Sequence, residues 1–316
     1  MSKYCDICPH HCKIGDSTFC GQNPSMDDKD VVKVSAVAVD PIEKKPLYHY
    51  RPGSKTLSIG TVGCNLKCLN CQNHSIAQPE SPDSVSCACY CPEDIVNMAR
   101  SRGLTSISWT YNENCIHPKW IINTARLACD YDIDTVLVTN GYTTKNTLRT
   151  LVKYVDAVNV DVKSMNDDFY RDVCGGSLEP VLDSVRYYFD HDVHVELTNL
   201  VIPGYNDGRG ELDELVGFVR SLSTSVPLHL SRFYPQFRMC DVVETPLKTI
   251  EKAWDYAKFN GLKHVYPGNV PPSYRDNTYC VNCRNLLVKR DGYVVSDYTA
   301  DRNACANCNH ITDIIF

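Results

Sequence analysis

Leu57-Ser58-Ile59-Gly60-Thr61-Val62-Gly63-Cys64-Asn65-Leu66-Lys67-Cys68-Leu69-Asn70-Cys71 is the stretch on which the reading of this chain turns. LSIGTV (57–62) reads as a β-strand, short, apolar and closed by glycine. It runs directly into a loop in which three cysteines follow the spacing C-x-x-x-C-x-x-C. Further strands of the same kind follow: SISWTY (106–111), TVLVTN (135–140), AVNVDVK (157–163), HVELTNLVI (194–202) and PLHLSRF (227–233). Between them EDIVNMARSRG (93–103), HPKWIINTARLACD (117–130), KNTLRTLVKY (145–154), EPVLDSVRYYF (179–189), ELDELVGFVRSL (211–222) and PLKTIEKAWDYAKFNG (246–261) carry apolar residues at helical spacing. Pro92 suits a first helical turn, and Gly103 and Gly261 suit helix stops. Strand–helix alternation of this kind specifies a parallel sheet with right-handed crossovers. Strands apolar on both faces fit a sheet covered by helices. The expected fold is α/β, a partial (β/α)6 TIM-like barrel, with chemistry gathered at the C-terminal ends of the strands.

The three-cysteine loop lies at that end of the first barrel strand. A short loop lets three thiolates converge on one centre. In a cubane of four irons, three thiolates leave one iron open to chelate a substrate. Zinc prefers four ligands, and no fourth cysteine is well spaced here, although His74 is near in sequence.

The loop and its surroundings resemble the radical S-adenosylmethionine (SAM) superfamily. More narrowly, the chain is similar to the radical enzymes of the AmmeMemoRadiSam system, relatives of the pyruvate formate-lyase activases. The resemblance runs through CDICPHHC (5–12), VDPIEKKPLYH (39–49), GTVGCNLKCLNCQN (60–73), WTYNE (109–113), VTNGY (138–142), NVDVKSMNDDFY (159–170), IPGYND (202–207), HLSRFYP (229–235) and the closing C-x-x-C motifs. It implies a 4Fe–4S cluster on Cys64, Cys68 and Cys71 and reductive cleavage of SAM into a hydrogen-abstracting radical. It implies that Asn112 and Glu113 meet the methionyl ammonium, although Asn114 stands where the family usually has proline. Thr139 and Asn140 end the third strand beside the cofactor. Asp161 and Lys163 lie on one strand face, and Lys163 is implied to meet the methionyl carboxylate. His229 and Arg232 are candidates for the adenosyl group or a substrate anion. No residue is singled out as a catalytic group acting on the substrate.

The chain has 18 cysteines in 316 residues, clustered in a way that reads as metal sites. Cys280-x-x-Cys283 and Cys305-x-x-Cys308 have zinc-ribbon spacing and predict a C-terminal module holding Zn. Cys5, Cys8, Cys12 and Cys20 form a second set, for Zn or an auxiliary Fe–S cluster that relays electrons or holds a substrate. Cys87, Cys89 and Cys91 read as loop thiols. The expected organisation is a Cys-rich N-terminal extension (1–50), the barrel (51–270) and the C-terminal module (271–316).

The formal net charge of −6 argues against a nucleic-acid binder with a general basic surface. The N-terminus lacks the apolar core of a signal peptide, and no apolar run approaches membrane-spanning length. A cytoplasmic enzyme is expected, with a low-potential donor of ferredoxin or flavodoxin type. Its substrate is an unknown small molecule or protein, alongside the other AmmeMemoRadiSam proteins. Two other readings stand beside this one. One is a glycyl-radical-enzyme activase. The other is an iron–sulfur or zinc electron-transfer or binding protein on a barrel scaffold, which would need none of Glu113, Asp161 and Lys163.

Overall fold

Each of the six expected strands forms, and they form one sheet in sequential order. The computed structural model describes residues 3–15, 18–22, 31–298, 300–301 and 303–316. In chain order the sheet contains β1 (Ala36–Pro41), β2 (Lys55–Gly60), β3 (Ser106–Trp109), β4 (Asp134–Thr139), β5 (Ala157–Asp161), β6 (His194–Val201), β7 (Leu228–Arg232) and β8 (Val265–Gly268). β1 pairs antiparallel with β2, and β2 to β8 are parallel. Neighbours in the sheet are neighbours in sequence, so every crossover winds the same way. The sheet is open: β1 and β8 are its edges.

The parallel set has a seventh strand beyond the six expected. HVYPG (264–268) contains Pro267, which argues against an interior strand. β8 is an edge strand, where the missing N–H costs nothing. VVKVSAVAV (31–39) is divided at Ser35. Val32–Val34 pairs with Ala88–Tyr90 in a separate ribbon, while Ala36–Pro41 joins the main sheet. Exposed Cys89 lies within that ribbon opposite Lys33, and exposed Cys87 immediately precedes it.

The expected helices are α1 (Pro92–Ser101), α2 (Pro118–Cys129), α3 (Lys145–Leu151), α4 (Glu179–Asp190), α5 (Arg209–Leu222) and α6 (Leu247–Phe259). Proline opens the first turn of α1, α2 and α4, where its missing N–H is an orphan in any case. Their apolar stripes, such as Ile95, Val96 and Ala99 of α1 and Trp120, Ile121 and Ala128 of α2, pack with Ile107, Leu137, Val158 and Val160 of the sheet. Each such aliphatic side chain stabilises the fold by roughly 1.5–3 kcal/mol on burial.

The other sheet face follows from the strand alternation. Ile42, Leu47 and Tyr50 pack on Val136 and Ala157, and Asn159 Nδ2 donates to Pro46 O at 2.8 Å. The VDPIEKKPLYH segment therefore plugs the inside of the sheet against the first halves of β4, β5 and β6. Glu196 anchors it: the buried carboxylate accepts from His49 N at 2.7 Å, His194 Nε2 at 3.1 Å and His229 Nε2 at 2.7 Å. Burial alone would raise the Glu196 pKa, but hydrogen bonds from His194 and His229 hold it well below the usual carboxylate range.

The C-terminal module contains β9 (Thr278–Tyr279), β10 (Leu286–Asp291) and β11 (Val294–Tyr298), an antiparallel sheet. Arg290 docks it on the plug, donating to Tyr48 O at 2.5 Å and Thr278 Oγ1 at 2.7 Å. It also faces Glu43 at 3.7 Å, both side chains being fully buried. Among the described residues no helix is long and apolar enough to cross a membrane.

Candidate active site and metal centres

All seven parallel strands deliver residues to one cavity of about 510 Å³ at their C-terminal ends. The loop after β2 brings Cys64, Cys68 and Cys71; the loop after β3 brings Asn112 and Glu113. β4 adds Thr139 and Asn140, β5 adds Asp161 and Lys163, and β6, β7 and β8 add Thr198, Ser231 and Asn269. The last three, with Lys44, Lys45 and Tyr293, also line the cavity although sequence reasoning did not select them. Thr198 continues the inward parity of Glu196, so alternation along β6 could have found it. Tyr293 comes from the C-terminal module, which no local pattern connects to the parallel sheet.

Three thiols meet at this cavity because the loop that carries them is held from every side. Lys67 N donates to Cys174 O at 2.7 Å, and Leu69 N to Val173 O at 2.9 Å. Asn65 Nδ2 reaches Tyr142 O at 2.7 Å, and Gln78 Nε2 reaches Cys68 O at 2.9 Å. Gly63 has φ +95°, and a Cβ there would lie 2.3 Å from Cys20 O, so only glycine fits. The sulfurs are themselves approached by donors: Leu66 N lies 3.4 Å and Asn140 Nδ2 3.7 Å from Cys64 Sγ.

Burial, then the charge of Glu113, pushes the Cys64 thiol up to about 12. A hydrogen bond with Cys174, then burial, holds the Cys68 thiol well above its usual value, and burial raises Cys71. Without a metal these three groups are neutral thiols at pH 7; an iron site would take them as thiolates. Asn70, between Cys68 and Cys71 in the chain, lines the cavity, and its buried Oδ1 has no hydrogen-bond partner. Convergent thiols, donors aimed at sulfur and an orphaned acceptor beside them fit a thiolate-bound iron–sulfur cluster with a polar ligand.

Asn112 and Glu113 sit where expected, but protein groups occupy them. Tyr111 takes the left-handed φ of 73°, which turns the chain inward after β3. Asn112 Nδ2 then donates to Thr61 Oγ1 at 2.9 Å and Gly63 O at 2.7 Å, and its Oδ1 accepts from Thr61 N at 2.9 Å. Glu113 accepts from Cys115 N at 2.9 Å, Thr139 Oγ1 at 2.8 Å and Asn140 N at 2.7 Å. Its pKa is raised by burial, against those hydrogen bonds. Asn114 occupies the family's proline position by a local exchange: its Nδ2 donates to Thr110 O at 2.9 Å and Asn112 O at 3.1 Å. These residues lock the ends of β2, β3 and β4 together. The Cys115 side chain also hydrogen-bonds the Glu113 carboxylate, so protein donors use nearly all of its four lone-pair sites.

Lys163 Nζ donates to Asp161 Oδ2 at 3.0 Å. Burial would lower the Lys163 pKa, but the charge of the adjacent Asp161 carboxylate opposes it, and the ammonium is held well above its ordinary value. Its remaining donors face a cavity, so it can bind an anion there.

His229 and Arg232 are not brought to this site. His229 faces the plug and is bonded to Glu196. Arg232 donates to Thr245 O at 2.6 Å, Tyr234 Oη at 2.9 Å and Glu244 Oε1 at 2.8 Å. Neither lines the cavity. Along β7 it is Ser231 that does, two residues beyond His229 on the same strand face.

At the C-terminus two turns repeat one hydrogen-bond pattern. Cys280 N donates to Asn285 O, and Arg284 N to Cys280 O; Cys305 N donates to His310 O, and Asn309 N to Cys305 O. Arg284 and Asn309 take positive φ at equivalent places, 63° and 56°. The sulfurs of Cys280 and Cys308, and of Cys283 and Cys305, lie 3.7 Å apart, and all four donor atoms fall within 4.8 Å of one another. Four thiolates 2.3 Å from a tetrahedral ion would stand about 3.8 Å apart, so the spacing suits a single metal ion.

The chain is similar to known proteins over much of its length. The profile of the Radical SAM superfamily matches residues 58–217. An uncharacterized protein of Methanocaldococcus jannaschii is 39% identical over 98% of this chain and 95% of its own length. Pyruvate formate-lyase 1-activating enzyme of Escherichia coli K12 is 23% identical, over 54% of this chain and 71% of that enzyme. Among solved structures, a radical SAM methyltransferase from Sphaerobacter thermophilus shares the fold, with a TM-score of 0.52 and 14% identity, covering 68% of this chain and 66% of that one. Streptococcus suis SuiB bound to S-adenosylmethionine has a TM-score of 0.51 at 16% identity, covering 69% of this chain and 51% of that one.

Proposed function

The chain belongs to the radical SAM superfamily, and from that premise we propose that Cys64, Cys68 and Cys71 hold a 4Fe–4S cluster at which S-adenosylmethionine is cleaved reductively. The observation that supports this most is the convergence of all seven parallel strands on one cavity that holds three thiols and the Asp161–Lys163 pair. When bound, the cluster supplies an electron and an open iron, and the cofactor supplies the 5′-deoxyadenosyl group that takes hydrogen from substrate.

The chain's own residues bind, orient and exclude water. Lys163 meets the methionyl carboxylate through donors that Asp161 does not use. Asn70 and Glu113, which both line the cavity, accept from the methionyl ammonium. Asn112, Thr139 and Asn140 hold the loops that carry these groups. Leu66, Phe169, Leu200 and Ile202 give the cavity apolar walls, which keep water from a reactive group.

In this reading residues 1–50, 51–270 and 271–316 are the N-terminal extension, catalytic body and C-terminal metal module. A ferredoxin- or flavodoxin-type donor supplies the electron, and Cys280, Cys283, Cys305 and Cys308 hold Zn. The motif VDPIEKKPLYH, which forms the plug, supports membership of the AmmeMemoRadiSam group. We therefore favour an unknown small-molecule or protein substrate over the glycyl residue of an activase partner. The activase similarity covers 54% of this chain, whereas similarity to the archaeal relative extends over 98%. Incubating the reduced enzyme with S-adenosylmethionine and a glycyl-radical protein separates the two, read by electron paramagnetic resonance. No glycyl doublet is expected; a doublet would establish the activase reading.

A further inference from the structure

The N-terminal segment closes on itself through backbone contacts, among them Ile14 N to Lys3 O at 2.9 Å. Cys5 N donates to Cys12 O at 2.8 Å, and His11 N to Cys8 O at 3.2 Å. As a result Cys5, Cys8, Cys12 and Cys20 line a single cavity of about 20 Å³, walled in part by Ile7 and Ile116. A donor points at sulfur here too. Phe19 N lies 3.4 Å from Cys12 Sγ; Thr18 Oγ1, whose own hydrogen goes to Gln22 O, lies 3.6 Å from Cys20 Sγ and accepts from that thiol.

The two outer cysteine sets differ in size. The C-terminal sulfurs approach to 3.7 Å around one point. Among the described residues, the C-terminal set alone brings three or more such donor atoms within 4.8 Å of one another. The N-terminal thiols therefore ring their centre more widely than a single tetrahedral ion would draw them. A wide ring of four thiols suits a centre of several irons, each iron taking one sulfur. Four thiolates also leave no iron open, so such a centre passes electrons and cannot chelate a substrate.

Its place completes the inference. Cys20 O packs so tightly on Gly63 that a Cβ there would come within 2.3 Å, and Gly63 immediately precedes Cys64. Gln22 Nε2 donates to Val62 O at 2.7 Å, and His10 Nε2 to Asn65 O at 2.9 Å. The segment thus grips the three-cysteine loop on both sides of Cys64.

We propose that Cys5, Cys8, Cys12 and Cys20 hold a second 4Fe–4S cluster, which passes electrons to the Cys64–Cys71 loop. It takes one electron from a ferredoxin-class donor and gives one up, so it ends each cycle as it began. The relay rests on the function proposed above; the presence of the cluster does not.

The test uses full-length protein, reconstituted anaerobically with iron and sulfide. The Cys8→Ala/Cys12→Ala variant and the Cys64→Ala/Cys68→Ala/Cys71→Ala variant should each keep about half of the wild-type iron and acid-labile sulfide. The first should retain the change that S-adenosylmethionine makes in the paramagnetic signal, and the second should lose it. With reduced ferredoxin, 5′-deoxyadenosine formation by the first variant should fall about tenfold or more, while with dithionite it stays within about twofold. Metal at the C-terminal cysteines and the circular dichroism spectrum check folding, and Cys12→Ser serves if the double variant fails them. A triple variant devoid of iron and sulfide, or holding a second zinc, would overturn the cluster. Equal loss, or no loss, with both reductants would overturn the relay. Retained N-terminal iron in an enzyme that never binds S-adenosylmethionine would sink the proposed function and leave this cluster standing.

Discussion

Replacing Glu113 by Gln should weaken the protein before it weakens any chemistry. Besides the Cys115 thiol, the carboxylate accepts three hydrogen bonds, two converging on Oε2 and one on Oε1. A glutamine oxygen placed at Oε2 keeps Thr139 and Asn140. Its amide then faces Cys115 N, donor against donor. One hydrogen bond to a charged group is lost, worth ~1.5–3 kcal/mol. Relief of a buried carboxylate whose pKa is already raised offsets part of it. The net loss is about 2 kcal/mol. At ~2.1 cal/mol/K of unfolding entropy per residue, a chain of 316 residues should melt about 3 °C lower. Calorimetry without S-adenosylmethionine measures this directly. Because Asn140 also reaches Cys64 and Asn65, cofactor affinity should fall as well. Wild-type melting combined with weakened cofactor binding would show that Glu113 is purely a ligand group, and the tie between β3 and β4 would be refuted.

Lys163→Met removes a charge-assisted bond to the cofactor carboxylate, worth ~1.5–3 kcal/mol, so S-adenosylmethionine should bind roughly 10- to 150-fold more weakly by equilibrium titration; unchanged affinity would assign Lys163 to Asp161 alone. Burial lowers His117 to about 4, and it also caps α2, where a positive charge is unwelcome. Its folded pKa lies below its unfolded one, so there is no cost above pH 6.5. As pH falls from 6.5 to 4 the unfolded chain takes up a proton that the folded chain refuses, and up to ~3 kcal/mol of stability is lost. Denaturant titrations of wild type and His117→Asn should therefore converge near neutrality and separate toward pH 4; parallel profiles would exclude this group. Cys283→Ala should abolish the one metal ion per chain expected at the C-terminal site and expose β9–β11 to proteolysis, as metal analysis and limited digestion will read; full metal retention would contradict a four-thiolate centre.

Much of the fold was legible because strand alternation and helix stripes are local signals. Asp161 and Lys163 could be placed on one face by counting along β5, and the cysteine loop announced itself by spacing. What escaped was what depends on tertiary closure. The ties among Glu113, Thr139 and Asn140 cross strands far apart in sequence, so a residue read as a cofactor ligand proved to be held by protein donors. His229 stands on the inward strand face as Ser231 does, yet Glu196 and the plug hold it away from the cavity. No periodic pattern shows that VDPIEKKPLYH lies inside the sheet. β8 was hidden by Pro267, which only an edge position excuses.

The most direct test of the central claim is anaerobic formation of 5′-deoxyadenosine from S-adenosylmethionine by reconstituted, dithionite-reduced protein, compared with Cys68→Ala. Cluster-dependent product from the wild type and none from the variant is the predicted result; product at the wild-type rate from Cys68→Ala would contradict the assignment of Cys64, Cys68 and Cys71.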